Sequence, residues 1–122
     1  MKRVRTVTHR GTEIVIIDFS SMKPGPELKD VIEQGRASIQ EHELNSVLTL
    51  VDVSDSEFDA EMIETLRVFA RENKDFVKAS AVVGSTGIYD MAREAIQKAS
   101  GRRFVPFGNR ETALDWLAKQ TE

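Results

Sequence analysis

The chain has 122 residues, a net charge of −3 and no cysteine; it is 40% hydrophobic and 30% charged. That length suits one domain, residues 1–122, and that balance is typical of a soluble globular chain, not a disordered one. Without cysteine there are no disulfides, thiol nucleophiles, or cysteine-ligated zinc or iron–sulfur centres.

The basic start, Met1 to Arg10, contains a strand signal: Val4, Thr6 and Thr8 alternate with Arg3, Arg5 and Val7. Arg10-Gly11-Thr12 reads as a turn. Glu13 to Phe19 is a β-prone run that contains Ile14-Val15-Ile16-Ile17, the pattern of a strand buried on both faces. The short turn between the two predicts an antiparallel hairpin. Ser20 to Pro26 is a loop, and Pro26 suits the first turn of a helix, where a missing N–H costs nothing. Leu28, Val31, Ile32, Gly35 and Ile39 then mark one helical face.

Val47 to Val53 reads as a second buried strand. Ser54 to Phe58 is polar loop, and Asp59 is placed to cap a helix with Met62, Ile63, Leu66, Phe69 and Ala70 inward. Phe76 to Val83 is a third buried strand, followed by the turn Gly84-Ser85-Thr86-Gly87. A helix with Ile88, Met91, Ala92, Ala95 and Ala99 inward comes next, with Gly101 as its C′ residue. Phe104 to Phe107 is a short strand whose Pro106 suits a sheet edge. Asn109 caps a last helix carrying Ala113, Leu114, Trp116 and Leu117. The predicted order is β-β-α-β-α-β-α-β-α. It implies an α/β domain with a five-stranded mixed, mostly parallel sheet flanked by helices.

Charge is unevenly spread. Ala37 to Leu66 has no Lys or Arg but carries Glu41, Glu43, Asp52, Asp55, Glu57, Asp59, Glu61 and Glu64. An acidic middle argues against nucleic acid as a partner and is compatible with a basic protein or with a plain solvated surface. No apolar run approaches the ~18 residues of a membrane span, and the N-terminus lacks the apolar core of a secretory signal. The expected compartment is therefore the cytoplasm.

In open α/β sheets, ligands gather beyond the carboxyl ends of the parallel strands. Here those ends are Asp18-Phe19-Ser20, Asp52-Val53-Ser54 and Gly84-Ser85-Thr86-Gly87. Asp52 invites comparison with a phosphoacceptor aspartate. That chemistry needs a divalent cation, to which Asp18 is a candidate contributor, and a lysine at a neighbouring strand end. Lys78 sits early in its strand, about 20 Å from the carboxyl end at ~3.3 Å per residue, so the set is incomplete. The ordinary role for Asp52 is accepting loop N–H bonds. The amides of Gly84, Ser85, Thr86 and Gly87 are an anion or ligand candidate, but the glycine spacing is not that of a P-loop, and Ser or Thr there suits an N-cap. His9 and His42 have no helix- or strand-spaced partner for a metal pair, and His42 at a helix end suits a structural role. No nucleophile–base–orienter set assembles, so no catalytic residue, metal or cofactor is expected, and a small enzyme of unnamed reaction ranks third, behind an interaction module and a ligand binder.

The segment from Val47 to Ser54, with the helix beginning near Asp59, resembles the STAS domain of bacterial anti-sigma factor antagonists. The run Lys78 to Gly84, Thr86-Gly87, Ser100-Gly101-Arg102 and Ala113 to Leu117 resembles the SpoIIAA-like, or STAS/SEC14-type, small proteins. The likeness spans nearly the whole chain in element order. It implies a regulatory or protein-interaction module. In STAS domains an Asp-Ser-Ser-Gly motif opens this helix and one serine is phosphorylated. Here the stretch is Asp59-Ala60-Glu61-Met62, so the aspartate is kept while both serines and the glycine are absent. If the register holds, Glu61 takes the acceptor position with one permanent negative charge, where a phosphoserine would add nearly two. The partner-binding candidates are therefore Ser54, Asp55, Glu57, Asp59 and Glu61. The SEC14 side of the likeness implies a small apolar or lipid-like ligand, with an apolar slot near Phe104, Phe107 and Trp116. A chain this short has little volume for a cavity beyond its own core.

Overall fold

Pleating sorts the run Ile14-Val15-Ile16-Ile17 onto two sides of one sheet. Val15 and Ile17 join one core cluster, and Ile14 and Ile16 join another. A strand that feeds two cores must be flanked on both faces, which is why its four residues are all apolar. The computed structural model describes residues 2–57, 59–84, 93, 94, 96–98, 101 and 103–120.

The strands are β1 (Val4–His9), β2 (Thr12–Asp18), β3 (Val47–Asp52), β4 (Val77–Val83) and β5 (Phe104–Phe107), and they lie in the sheet in that order. β1 pairs antiparallel with β2, and the other neighbouring pairs are parallel. The expected five-stranded mixed sheet is thus the observed one. Between β1 and β2 the turn residues Arg10 and Gly11 both have positive φ, 52° and 78°, as a two-residue turn matching strand twist requires. Pro106 lies in the edge strand β5, where its missing donor breaks no ladder.

Helices α1 (Pro26–Gln40) and α2 (Ala60–Glu72) cover the Val15 and Ile17 face. The buried residues of α1 are Leu28, Val31, Ile32, Gly35 and Ile39, the face its spacing predicts. In α2, Met62, Leu66, Phe69 and Ala70 are buried, while Ile63 is only half-buried. The other face is covered by α3 (Arg110–Lys119), through Ala113 and Leu117 on Ile14, Ile16, Leu48 and Leu50. Each fully buried large apolar side chain stabilises the fold by roughly 1.5–3 kcal/mol relative to exposure.

The expected helix residues Ile88, Met91, Ala92, Ala95 and Ala99 lie outside the described residues. Residues 93, 94 and 96–98 are helical, and the Gly101 amide donates to the Gln97 carbonyl at 2.9 Å.

Two strands stop one residue short of their apolar runs. β2 ends at Asp18, before Phe19, and β3 at Asp52, before Val53. The amides of Phe19 and Val53 still reach the neighbouring strand, at Asp52 and Val83, and the chain turns just beyond them, where each aspartate carboxylate accepts the amide two residues on.

Candidate functional site at the carboxyl end of the sheet

The same pleat that sorts the core orients the acids. Ile14, Ile16 and Asp18 alternate onto the α3 face of β2, and Leu48, Leu50 and Asp52 onto the α3 face of β3. Asp18 and Asp52 are partners in the parallel register. Arg110, the first residue of α3, reaches both. Its Nε donates to Asp52 Oδ2 at 2.7 Å, and its Nη2 lies 3.2 Å from Asp18 Oδ2.

Each carboxylate is occupied at both oxygens. Asp18 Oδ1 accepts the Ser20 amide at 2.8 Å, and Asp52 Oδ1 accepts the Ser54 amide at 2.9 Å. Burial pushes the Asp18 carboxyl up, but hydrogen bonds from Ser20 and the Arg110 guanidinium outweigh it and hold the group below its ordinary value. Burial works against the charged Arg110 as well; its bonds to Asp52 and Asp18 more than offset this and raise its pKa. Arg3 braces the same corner. It donates to the carbonyls of Asp18 and Ser20 at 3.2 and 2.8 Å, and its Nε lies 3.2 Å from Glu27.

Asp52 therefore does accept a loop N–H. The cation beside it is Arg110, not Lys78, which stays near the start of β4. The guanidinium bonds the carboxylate oxygen that a phosphoacceptor would need free. Among the described residues no group of three or more His, Asp or Glu side chains is placed to hold a metal ion.

Beyond Asp52 the loop turns through Asp55 at φ 55° and is tied down by backbone bonds. The Glu57 amide donates to the Met22 carbonyl, and the Ser21 amide to the Ser54 carbonyl, both at 2.8 Å. Ser56 is buried, with its hydroxyl on the Val53 carbonyl at 2.7 Å. Asp55, Glu57, Asp59 and Glu61 are exposed. Asp59 is the N-cap of α2, accepting the Met62 amide at 2.8 Å, and Glu61 lies in its first turn. Ser54 is half-buried against Gly84. Of the second candidate cluster, Gly84 adjoins this loop, while Ser85, Thr86 and Gly87 lie outside the described residues.

An uncharacterized protein of the DUF3478 family from Shewanella loihica PV-4, with a SpoIIAA-like fold, matches this structure at a TM-score of 0.71. The match covers 93% of this chain and 91% of that one at 13% sequence identity. The fold is SpoIIAA-like. No family model and no curated protein matches the chain. Within the SpoIIAA-like fold the acidic loop and the start of α2 occupy one end of the sheet, together with Gly84.

Two features escape a reading of the sequence alone. Nothing in the residues around Arg110 singles it out. The signal that points to it is the repeated Asp-apolar-Ser at two strand ends, each leaving one carboxylate oxygen in need of a cation. The second feature lies at the opposite end of the sheet: His9 Nε2 is 2.7 Å from Asp115 Oδ1, which also receives Arg10 Nε at 3.0 Å. The hydrogen bond from His9 holds the Asp115 carboxyl below its ordinary value, with Arg10 adding to it. This contact spans 106 positions, so no local spacing reveals it. His42 lies just past the end of α1, and its Nδ1–H donates to the Ser38 carbonyl at 2.9 Å. Phe107 and Trp116 pack on each other with ring centroids 5.4 Å apart, joining the core beneath α3.

Proposed function

We propose that this SpoIIAA-like domain is a non-catalytic interaction module whose partner is a basic protein segment. Its contact surface is the loop from Ser54 to Glu57 with the start of α2. The observation that carries this reading is that Asp55, Glu57, Asp59 and Glu61 are all exposed, the first two on a loop whose backbone is bonded to the neighbouring loop at Ser54 and Glu57, the others at the start of α2. A pinned backbone loses little freedom on binding, so charge complementarity there acts at low entropic cost. Glu61 supplies a permanent charge in the helix's first turn.

Calorimetric titration with a short oligolysine peptide at low salt tests it. Wild type binds. The pair E57K/E61K abolishes binding, while E41K/E43K, the same charge change at the far end of α1, retains most of it. Equal loss in both pairs reduces the effect to net charge and sinks the reading.

A second reading, a small apolar ligand, has one observation in its favour: an open groove between α1 and α2 lined by Ile32, Arg36, Glu64, Thr65, Val68 and Glu72. Native mass spectrometry of the purified protein separates the two. Retained mass that an I32E change removes favours the ligand, and bare protein in repeated preparations counts against it. No helix among the described residues is long and apolar enough to cross a membrane.

A further inference from the structure

The turns that follow β2 and β3 repeat one design. An aspartate ends the strand, and its Oδ1 accepts the amide two residues on. The residue after that is left-handed, Ser21 at φ 54° and Asp55 at φ 55°. The next amide returns to the carbonyl of the residue following the aspartate, Met22 to Phe19 at 3.2 Å and Ser56 to Val53 at 3.3 Å. The turns are then stitched together by Ser21 to Ser54 and by Glu57 to Met22.

Such a pair is costly to hold. Neither left-handed residue is glycine, and L side chains disfavour that conformation. Asp18 and Asp52, one behind each turn, repel. One group answers both: the second oxygen of each carboxylate meets Arg110. The Asp52 side chain is only 7% exposed, so the attraction there is weakly screened.

We infer that Arg110 is a positioning residue, a latch through which α3 holds both turns in shape and thereby presents Asp55 and Glu57 to a partner. The presenting role rests on the reading of that loop as a contact surface; the latch itself does not.

Two measurements separate these. In hydrogen exchange near neutral pH, R110M raises exchange at the Ser21 and Glu57 amides by about tenfold or more over the Ile16 and Leu50 amides. L114A, on the same helix and without loss of the guanidinium, controls for lowered global stability and changes all four evenly. A uniform change in R110M, or none, overturns the latch. In the oligolysine titration the sign decides. R110M makes the protein more negative, so charge alone tightens binding, whereas loss of the latch weakens it about threefold or more despite the added negative charge. Tighter or unchanged binding overturns the presenting role, and R110K restores part of the wild-type affinity if the latch acts through its cation. If wild type fails to bind oligolysine, the surface reading falls, while the exchange experiment still decides the latch.

Discussion

Asp18 and Asp52 end adjacent parallel strands in register, and one guanidinium answers both, from a helix that begins 58 residues after Asp52. Two neighbouring carboxylates on one sheet face would drive the strand ends apart. With Arg110 between them, the same charges fasten α3 across β2 and β3. The corner thus depends on a contact that closes only after nearly the whole chain is in place.

Removing the cation should therefore cost more than a surface ion pair. Breaking a buried pair costs about 3–5 kcal/mol, and Arg110 is partly solvated, so R110A should lose about 2–3 kcal/mol. Urea unfolding reads this as a lower midpoint at unchanged slope. Neutralising the whole set in D18N/D52N/R110M should recover part of the loss, because no unpaired charge is left behind. A triple variant less stable than R110A would mean the cluster acts through packing.

Acid should dissolve the same contact. The folded Asp18 carboxyl lies below its ordinary value of 3.8, so as pH falls the unfolded chain takes up the proton first. The contribution of Asp18 is therefore whole above about 3.8 and fades as pH drops through that value toward the lower folded one. D18N should be less stable than wild type near neutrality, with the gap narrowing as pH falls below about 3.8 and closing once the folded carboxyl is also protonated. Asp115 is depressed too and fades in the same window, but the wild-type-minus-D18N difference cancels it. A gap constant down to acid pH would show that the asparagine disturbs geometry and not charge.

Much of this was legible in the sequence because it is local. The period-2 and 3.6-period patterns placed the strands and the buried faces of α1 and α2, and Asp59 and Asn109 cap the helices they were expected to cap. The strand ends at Asp18 and Asp52 were visible as places where ligands gather. What was illegible is what joins them. Nothing near Arg110 says that it faces two carboxylates, because that follows from α3 packing back across the sheet. The His9–Asp115 contact is hidden for the same reason. Burial of Ser56 between the exposed Asp55 and Glu57 is different: its hydroxyl bonds the Val53 carbonyl three residues back, a local turn contact that polarity alone does not suggest.

Gly84 should be intolerant of a side chain. It sits at φ +85°, and a Cβ there would lie 2.7 Å from both the Cα and the N of Ser54, and closer still to its hydroxyl. Backbone cannot yield as a flexible side chain can. Left-handed strain and overpacking together should cost G84A about 2–4 kcal/mol, read by thermal or urea unfolding. G11A, also at positive φ but with no heavy atom within 4 Å of its Cβ, should cost only the strain. Equal losses in the two would remove the contact with Ser54 from the account.

The two capping residues distinguish a local cost from a shared one. D59A and N109A each remove a side chain that accepts an N-terminal amide, at 2.8 and 2.9 Å, and each should cost about 1 kcal/mol. Asp59 shares no partner with Arg110, so D59A and R110M should add to within about 0.5 kcal/mol. Asn109 fixes the first turn of the helix whose first residue is Arg110, so N109A loosens the guanidinium's own anchor. Once Arg110 is gone, that part of the effect has nothing left to act on. N109A/R110M should accordingly lose less than the sum of its single changes, by about 0.5–1 kcal/mol in a double-mutant cycle. Simple additivity in both cycles would mean that Arg110 is oriented by the two carboxylates alone.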